Sequence, residues 1–472
     1  KKFLIMPPAY YKANENHGVF LFYKELIKND CDVFLHDPYV SYWEELDLEV
    51  SQELGNFDNI DIVIFSTGHS EYINNDDLIK NLYFKLEPEN KALLFPFIFS
   101  NRFIFVGIVL ILTNLSVFVS AETKISRLHD LKLITPKDIK VTIFAKDVSR
   151  ARHMAFDDQG VLFLSQSKEG KVVALPDFDK NGKADKKVSI ISGHRAPHGL
   201  AFVRIKDSYY LYVAEETRVI RLKRIHKPFA YGMPEIVIDN IPGGGHYTRT
   251  IKIKNDKLYL SVGSSCNVCI EKNSLRAAIS RFNLDGSGGE VFARGLRNSV
   301  GMEFSPYSGE LWGVNNGRDM LGDHHPKEEL NIIKNGKHYG WPYCYESQVF
   351  DQDFGLNFDC QKTESPAYTF VAHMAPLGLA FYQKGALPKR YNHSVFIAFH
   401  GSWNRSIPAG YKVVRLILDP TGGIISHEDF IIGWLKKNGS PKGRPVDIEY
   451  SPEGELYLSD DFLGVVYKIS GN

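Results

Sequence analysis

The sequence has no net charge and no long basic block. Its 56 lysine and arginine residues balance its 56 aspartate and glutamate residues. Phosphate backbones are bound by clustered positive charge, so this balance argues against a nucleic-acid partner. Apolar residues make up 44% and charged residues 24% of the chain, which is typical of a globular protein and not of a disordered one. A chain of 472 residues exceeds one ordinary domain, so we expect at least two folding units.

Cysteine is also scarce. Of the five cysteines, Cys31 is isolated and the other four form two near pairs, Cys266 with Cys269 and Cys344 with Cys360. In an oxidising compartment these pairs are two local disulfides. In the cytosol the first pair would instead suit a redox centre or half of a metal site. A zinc site needs two further ligands, and the sequence has no second CxxC. The export signal described next favours the disulfides.

One segment is strongly apolar. Phe103–Ala121 (FIFVGIVLILTNLSVFVSA) is uncharged over about 19 residues, long enough to span a bilayer. Arg102 precedes it, and it ends in Val119–Ala121, with the small residues that signal peptidase accepts. We therefore predict a signal peptide within residues 91–121 and a periplasmic or secreted protein that starts near Glu122. A permanent membrane anchor through residues 103–121 and a buried core helix are the alternatives.

Residues 1–90 have the pattern of a small α/β unit. Lys2–Met6 and Asp61–Ser66 are predicted to be buried parallel strands, with an amphipathic helix at Val19–Ile27. The phrases His36–Val40 (HDPYV) and Ser66–Tyr72 (STGHSEY) resemble the C-terminal UDP-binding domain of UDP-sugar dehydrogenases. The catalytic part of that family is absent, so no activity is carried over. The alternative is an incidental α/β fragment, joined to the rest by read-through or a gene-prediction error.

Residues 122–472 repeat one phrase. An apolar strand is followed by a turn with Gly, Asp or Pro and then by a strand of the Leu-Tyr-Leu kind. Copies begin at His153, His198, Thr248, Ser299, Pro376 and Pro445. Repeats of short antiparallel strands about 50 residues apart indicate a propeller, because each unit buries its faces only against its neighbours. We predict an all-β six-bladed β-propeller, closed by Val141–Phe144 pairing with the last blade.

Loop-borne polar residues before the inner strands are the candidate site, because propeller loops gather at one end of the axis. His246 follows three glycines and precedes a strand. Such a histidine can act as a general base near neutral pH, although on its own it is more often structural. Arg297 and Asn298 precede the next strand. The planar cation of Arg297 suits carboxylates or quinone oxygens, and the alternative is a surface ion pair.

A separate loop has the spacing of a calcium site. Its oxygens fall at positions 1, 3, 5 and 9 with Gly182 at position 6, as in an EF-hand. The side chains concerned are those of Asp177, Asp179, Asn181 and Asp185. Position 12 is Val188, so the bidentate glutamate of an EF-hand is missing. We predict a structural calcium ion here, with an Asx-rich turn as the alternative.

Several longer phrases carry a family resemblance. They are Gly263–Cys269 (GSSCNVC), Asn315–Asp323 (NNGRDMLGD), Glu329–Asn331 (ELN), Tyr339–Pro342 (YGWP), Ala375–Ala380 (APLGLA), Phe399–Arg405 (FHGSWNR) and Gly443–Pro445 (GRP). On these, residues 140–472 resemble the glucose/sorbosone dehydrogenase family dependent on pyrroloquinoline quinone (PQQ), particularly its sorbosone dehydrogenase-like branch. The resemblance implies PQQ and Ca²⁺ in the axial cleft. It also implies oxidation of an aldose or sugar aldehyde, with electrons passed to an acceptor such as a quinone or a cytochrome.

The resemblance also implies residue roles. His246 would be the base, with Arg297 stabilising charge on the quinone. The expected cofactor contacts are Arg249, Asn298, Arg405 and Arg444. The cofactor calcium would lie at the loop that includes Asp323, His324 and His325, and backbone carbonyls of 323–326 would bind it. His198 would touch the substrate or merely cap a strand.

Two departures from the glucose-oxidising branch argue against glucose itself. Ser264 and Ser265 stand where that branch has an aspartate. Trp403–Arg405 lies near its fifth-blade lysine, whose charge Arg405 would replace. Two rival functions stay open, a non-catalytic propeller that binds carbohydrate or protein and a calcium-dependent lactonase. A lactonase wants carboxylate and asparagine ligands in the central channel, whereas these cleft phrases are rich in arginine and histidine, which favours an anionic cofactor.

Overall fold

The computed structural model describes residues 131–226 and 228–472, and before them only short strands. Those strands are Lys2–Met6, Asp32–Leu35, Tyr42–Trp43, Leu48–Glu49, Ile62–Phe65, Ala92–Leu94 and Thr123–Leu128. The chain forms two compact units, Lys1–Ser116 and Val117–Asn472. Within the described residues, no helix has the length and apolar character that a membrane span requires.

The first unit contains a parallel sheet. Lys2–Met6 lies between Asp32–Leu35 and Ile62–Phe65, and Ala92–Leu94 continues the sheet at the edge. Both predicted parallel strands of this region therefore belong to one sheet. The predicted helix at Val19–Ile27 and the apolar segment Phe103–Ala121 fall outside the described residues. The α/β assignment and the signal peptide accordingly stay predictions.

The second unit is a six-bladed β-propeller with one four-stranded antiparallel sheet per blade, and the first strand of each blade lies at one edge of its sheet. Blade 1 contains Ala151–Phe156, Leu162–Gln166, Lys171–Leu175 and Val188–Ile191. Blade 2 contains Leu200–Ile205, Ser208–Ala214, Val219–His226 and Glu235–Ile238, with Ala230–Tyr231 added. Blade 3 contains Arg249–Lys254, Lys257–Val262, Ala278–Asn283 and Glu290–Arg294, with Lys337–His338 added.

The other three blades have the same plan. Blade 4 contains Ser299–Phe304, Leu311–Asn315, Glu328–Ile333 and Tyr368–Phe370. Blade 5 contains Pro376–Tyr382, Ser394–Phe399, Lys412–Leu418 and Ile424–Ile431. Blade 6 contains Pro445–Tyr450, Leu456–Asp460, Val465–Gly471 and Ile139–Ala145. The six repeated phrases coincide with the first two strands of the six blades, so the predicted propeller is confirmed.

The ring of blades is closed by a strand from the beginning of the propeller sequence. Ile139–Ala145, which precedes blade 1 in the sequence, is the outer strand of blade 6 and pairs antiparallel with Val465–Gly471. This is the closure that the sequence predicted for Val141–Phe144. Because strands from both ends of the propeller share one sheet, separating the ends requires breaking a blade.

Aromatic contacts join neighbouring blades. Phe163 meets Phe202 edge to face at 4.9 Å between blades 1 and 2, and Trp312 meets Phe381 at 5.0 Å between blades 4 and 5. Each such pair contributes about 0.5–1.5 kcal/mol beyond its area burial. Around the axis the first strands approach backbone to backbone. A Cβ on Gly378 would lie 2.6 Å from the Cα of Asp447, so this position requires glycine.

Both predicted disulfides are present, Cys266–Cys269 and Cys344–Cys360. The first follows the second strand of blade 3, and the bond between its sulfurs favours the disulfide over the metal alternative for the CxxC. The second closes an excursion within blade 4 that includes the hairpin Cys344–Tyr345 with Val349–Phe350. The remaining short elements are the hairpin Thr123–Leu128 with Leu131–Pro136 and the 3-10 turns Ser167–Glu169, Cys360–Lys362 and Lys389–Tyr391.

Candidate active site

The candidate residues share one end of the propeller axis, which we call the cleft face. It consists of the loops that precede the first strands and those that follow the second strands. His246, Arg297 and Arg444 come just before the first strands of blades 3, 4 and 6. Ser264 and His400 come just after the second strands of blades 3 and 5. Since the first two strands of each blade are antiparallel, both sets of loops meet at the same end.

His246 is held as a neutral base. Its Nδ1 lies 3.0 Å from both the carbonyl oxygen and the Oγ of Ser264, and that Oγ donates its proton to the carbonyl of Cys266 at 2.6 Å. Two acceptors therefore face Nδ1, so Nδ1 carries the hydrogen and Nε2 keeps its lone pair. Burial, followed by the charge of Arg297, lowers the pKa of His246 to about 4. The imidazole is consequently uncharged at neutral pH.

Arg297 is a buried cation, 4% exposed. Its Nη2 pairs with the Oδ2 of Asp319 at 2.9 Å and with the Oδ1 of Asn267 at 2.9 Å, and its Nε donates to the carbonyl of Asn267 at 2.9 Å. The remaining amino group, Nη1, makes one hydrogen bond among the described residues, at 3.4 Å to the carbonyl of Asn316. One edge of the guanidinium is thus fixed by protein, and Nη1 retains donor capacity.

Gly263 brings the base, the cation and Asn298 together. A Cβ at this glycine would lie 2.6 Å from the Oδ1 of Asn298 and 2.6 Å from the Cβ of His246. The next residue, Ser264, donates its backbone N–H to the carbonyl of Arg297 at 2.7 Å. The structure therefore gathers the three residues around one segment, while their chemical roles stay predictions.

Arg249 does not have the surroundings expected of a cofactor ligand. It is completely buried, and its guanidinium donates to the carbonyls of Glu216, Pro242, His246 and Thr248 at 2.5–3.1 Å. A buried guanidinium needs acceptors, and main-chain carbonyls supply them here. These contacts fix the loop that carries His246, so Arg249 holds this part of the site in place through main-chain hydrogen bonds.

His198 is likewise too buried for the predicted substrate contact. It is 1% exposed, its Nδ1 lies 3.2 Å from the carbonyl of Arg249, and its ring centre is 5.6 Å from that of His153. Its Nε2 has no hydrogen-bond partner in the part of the chain that the structure describes. Burial lowers the pKa of His198 to about 3. The structural alternative fits this environment.

Arg444 and Arg405 occupy the side of the cleft face formed by blades 5 and 6. Arg444 donates to the carbonyls of His400 and Gly401 at 3.1 and 2.7 Å. Arg405 donates to the carbonyls of Asp323, Ala372 and Ile407, which ties a loop of blade 4 to one of blade 5.

Asp319 links three blades and was not identified from the sequence. Its carboxylate pairs with Arg297 and accepts from the amide of Asn404 at 2.7 Å, and its backbone N–H donates to Asn267 at 2.7 Å. Asp319 itself and two of these partners, Asn267 and Asn404, lie in the phrases that carried the family resemblance. A search of those phrases for a counter-ion to Arg297 would have suggested Asp319.

A second polar group, which the sequence analysis also did not identify, lies on blades 5, 6 and 1. The Nε2 of His400 donates to Asp461 at 2.9 Å, and Arg152 pairs with the same carboxylate at 3.0 Å. Burial lowers the pKa of His400 to about 4 despite the neighbouring carboxylate, so His400 is neutral at pH 7. Although burial opposes it, the contacts with His400 and Arg152 hold the pKa of Asp461 well below its usual range. The group is a neutral histidine on an ion pair.

The predicted metal residues divide into two sets. Asp177, Asp179 and Asp185 bring carboxylate oxygens within 4.8 Å of one another, and Asn181 lies in the same loop. Asp323, His324 and His325 belong to no such group among the described residues. The carboxylate of Asp323 accepts from the backbone N–H of Ser406 at 3.0 Å, the ring of His325 pairs with Glu346 at 2.9 Å, and His324 is exposed. The side chains of Asp323 and His325 thus have separate partners. Among the predicted backbone ligands, the carbonyl of Asp323 accepts from Arg405.

Known proteins resemble this chain over the propeller. An uncharacterized protein of Borreliella burgdorferi is 32% identical over 371 residues, which is 75% of this chain and 93% of the relative. The "Pyrroloquinoline quinone-dependent sugar dehydrogenase" of Hypocrea jecorina is 24% identical over 69% of this chain and 86% of its own. The structure "Iodide structure of Trichoderma reesei Carbohydrate-Active Enzymes Family AA12" covers 72% of this chain and 98% of its own, with a TM-score of 0.64 at 21% identity.

A further solved structure shares the fold. The "Holo form of Pyranose Dehydrogenase PQQ domain from Coprinopsis cinerea" covers 73% of this chain and 98% of its own, with a TM-score of 0.62 at 21% identity. At the level of sequence, residues 133–472 match the TrAA12-like family. The chain therefore belongs to the TrAA12-like family.

Proposed function

We propose that the propeller is a quinoprotein oxidoreductase that oxidises an aldose or sugar aldehyde with PQQ as its cofactor. The observation that carries the proposal is His246, a neutral histidine whose Nε2 keeps its lone pair, next to the buried cation Arg297 and the amide Asn298. A base beside a charge-stabilising donor pair is what proton removal from an alcohol requires. The names of the relatives from Hypocrea jecorina and Coprinopsis cinerea support the same chemistry.

The residues of the cleft face fit PQQ, an anionic quinone with three carboxyl groups. The Nε of Arg152 is buried and has no hydrogen-bond partner among the described residues. The Nη1 of Arg297 is nearly free, and Arg444 lies on the same face. Unsatisfied guanidinium donors in a buried site favour carboxylate or carbonyl oxygens. The donor set therefore suits a planar anionic ligand.

In this proposal PQQ supplies a quinone that accepts a hydride. The Nε2 of His246 takes the proton of the sugar hydroxyl, while Ser264 fixes the ring through Nδ1. Arg297 and Asn298 donate to oxygen atoms on which negative charge develops. Because the charge of Arg297 contributes to the low pKa of His246, an anionic group bound to Arg297 would raise that pKa towards the working range.

The test of function is reconstitution. PQQ and Ca²⁺ are added to the purified protein, followed by a panel of aldoses and sugar aldehydes, and the quinone absorbance is followed. We expect the absorbance to change on addition of at least one sugar. Sugar binding without any absorbance change would favour a non-catalytic propeller. Lactone hydrolysis that needs no PQQ would favour the hydrolase.

The finer assignments belong to the same proposal. The sorbosone-like branch suggests an aldehyde hydrate as substrate and a quinone or cytochrome as electron acceptor, and backbone carbonyls of 323–326 would hold the cofactor calcium. We also propose export with cleavage before Glu122, supported by the apolar segment and by two disulfides. N-terminal sequencing of exported protein that began at Lys1 would contradict the cleavage. The UDP-sugar dehydrogenase-like character of residues 1–90 stays a prediction.

The loop 177–185 is proposed to bind a structural Ca²⁺. Three carboxylates face one point there, and burial raises the pKa of Asp177, with Asp179 adding to the increase. Ca²⁺ should therefore raise the unfolding temperature, and by more at higher concentration, because it binds only the folded loop. Measured without PQQ, so that the cofactor calcium does not contribute, the double variant Asp177→Asn/Asp185→Asn should lose the increase. The control Asp285→Asn, an exposed turn aspartate, should keep it; an increase that survives in the double variant would place the ion elsewhere.

A further inference from the structure

We propose that Asn267 is the positioning residue of Arg297, and that the Cys266–Cys269 disulfide holds Asn267 in place. The segment 264–269 thereby fixes the position of the base, His246, relative to the cation, Arg297. The importance of this relative position for catalysis rests on the proposed function. The contacts themselves belong to the protein without cofactor.

Asn267 uses nearly all of its polar atoms on the Arg297 group. Its carbonyl accepts from the Nε of Arg297 at 2.9 Å and from the indole N–H of Trp341 at 3.2 Å. Its side-chain oxygen accepts from the Nη2 of Arg297 at 2.9 Å and from the N–H of Asp319 at 2.7 Å. Its side-chain amide donates to the carbonyl of Asp319 at 3.1 Å. Backbone and side chain together grip one edge of the guanidinium and the residue that neutralises it.

The other end of the same segment holds the base. Ser264 presents its carbonyl and its Oγ to the Nδ1 of His246, and its N–H binds the carbonyl of Arg297. The Oγ of Ser264 in turn donates to the carbonyl of Cys266, the first residue of the disulfide ring. Displacement of the disulfide-closed ring would therefore move the hydrogen-bond partners of both His246 and Arg297.

Part of the segment is exposed. It lies in a surface loop after the second strand of blade 3, where Ser265 faces solvent and bonds Glu271, and Ile270 beside it is exposed. Such loops are mobile unless they are tied down, and ordering each residue costs backbone entropy. The bond between Cys266 and Cys269 closes a small ring, with Asn267 and Val268 between the two cysteines. The disulfide thus restricts the residue that grips Arg297.

Arg297 also has space to move when it is released. A cavity of about 20 Å³ adjoins it, lined in part by Arg318, Trp341 and Cys344. A cavity of that volume can hold a water molecule. Loss of the hydrogen bonds from Asn267 would leave the guanidinium free to shift its position next to this space.

The side-chain half of the grip is tested with Asn267→Ala and Asn267→Asp. Asn267→Ala should lower kcat/KM about 100-fold, the cost of a small misplacement of a catalytic group. Asn267→Asp keeps the oxygen that accepts from Arg297 and Asp319, so it should recover activity to within about tenfold of wild type. In Asn267→Ala the acid limb of the kcat/KM–pH profile should move to higher pH, because Arg297 no longer lowers the pKa of His246. A purely structural role would lower activity with no shift of the limb and no rescue by aspartate, and would overturn the proposal.

The disulfide half is tested without cofactor. The indole N–H resonance of Trp341, identified with Trp341→Phe, is followed in the tryptophan-labelled protein before PQQ is added. We expect it to shift and to exchange faster in Cys266→Ser/Cys269→Ser, because the carbonyl of Asn267 is its acceptor. The control Ser287→Ala, on an exposed turn of blade 3 where Ser287 bonds Asp285, should leave it unchanged. An unchanged resonance in the double variant refutes the proposal that the disulfide holds Asn267 in place. A shifted resonance in a protein that shows no PQQ-linked activity would support that proposal while the proposed function fails.

Discussion

His246→Ala is expected to lower kcat/KM for PQQ-linked sugar oxidation by about 10²–10⁴-fold, the range that general-base catalysis contributes. PQQ affinity should change little, because the guanidinium donors of the cleft face remain. The reason is the hydrogen bonding of His246: Ser264 occupies Nδ1 and leaves Nε2 as a neutral base. The measurement is steady-state kinetics with an artificial electron acceptor, beside a PQQ titration of the same variant.

The matched control is His226→Ala, which removes an exposed histidine from blade 2 and should leave both quantities unchanged. The pH profile adds a second criterion. The acid limb of kcat/KM that reports protonation of His246 should disappear in His246→Ala. A variant that keeps wild-type turnover and the same limb would show that another group takes the proton.

The propeller was predictable because its information is local and repeated. Each blade begins with an apolar strand and continues with a second strand after a short turn, so six similar phrases indicate six similar sheets. Closure was predictable as well, since Val141–Phe144 is an apolar strand left over before the first copy. The loop positions of His246 and Arg297 followed directly from that frame.

The surroundings of those residues could not be predicted in the same way. Arg249 lies three residues after His246, yet its side chain enters the interior and binds carbonyls. Sequence spacing does not show which side chain at the start of a strand faces the axis. The link between Asp319 and Asn404 joins residues 85 positions apart on loops of two blades. Only the closed ring brings such loops together.

Beneath the cleft, a lysine crosses the propeller axis. The Nζ of Lys252, on blade 3, lies 2.5 Å from Glu303 on blade 4 and 4.0 Å from Glu449 on blade 6. Blades 3 and 6 are on opposite sides of a six-membered ring, so this contact spans the centre. Burial raises the pKa of Glu449 and raises that of Asp447 to about 7, and Lys252 opposes both increases. Although burial opposes it, Glu303 and Glu449 raise the pKa of Lys252, so the lysine is charged.

Lys252→Ala should therefore cost about 3 kcal/mol in the free energy of unfolding at pH 8, because removing one partner leaves buried carboxylates uncompensated. The loss should be smaller at pH 5. A carboxyl whose folded pKa is raised takes up a proton on folding between its unfolded pKa, near 4, and its folded pKa, so acid favours the folded state in that window. The protonated carboxyls of Asp447 and Glu449 no longer need Lys252.

Urea unfolding at both pH values measures the two losses. The control Lys254→Ala removes a lysine from the same strand that reaches the carbonyl of Gly309 and the face of Phe304, and it should cost less than about 1 kcal/mol, by the same amount at either pH. Equal losses for Lys252→Ala at pH 5 and pH 8 would mean that the lysine stabilises through packing of its alkyl chain. A loss that is larger at pH 8 than at pH 5 would show that the charge of Lys252 joins blades 3, 4 and 6 at the centre of the propeller.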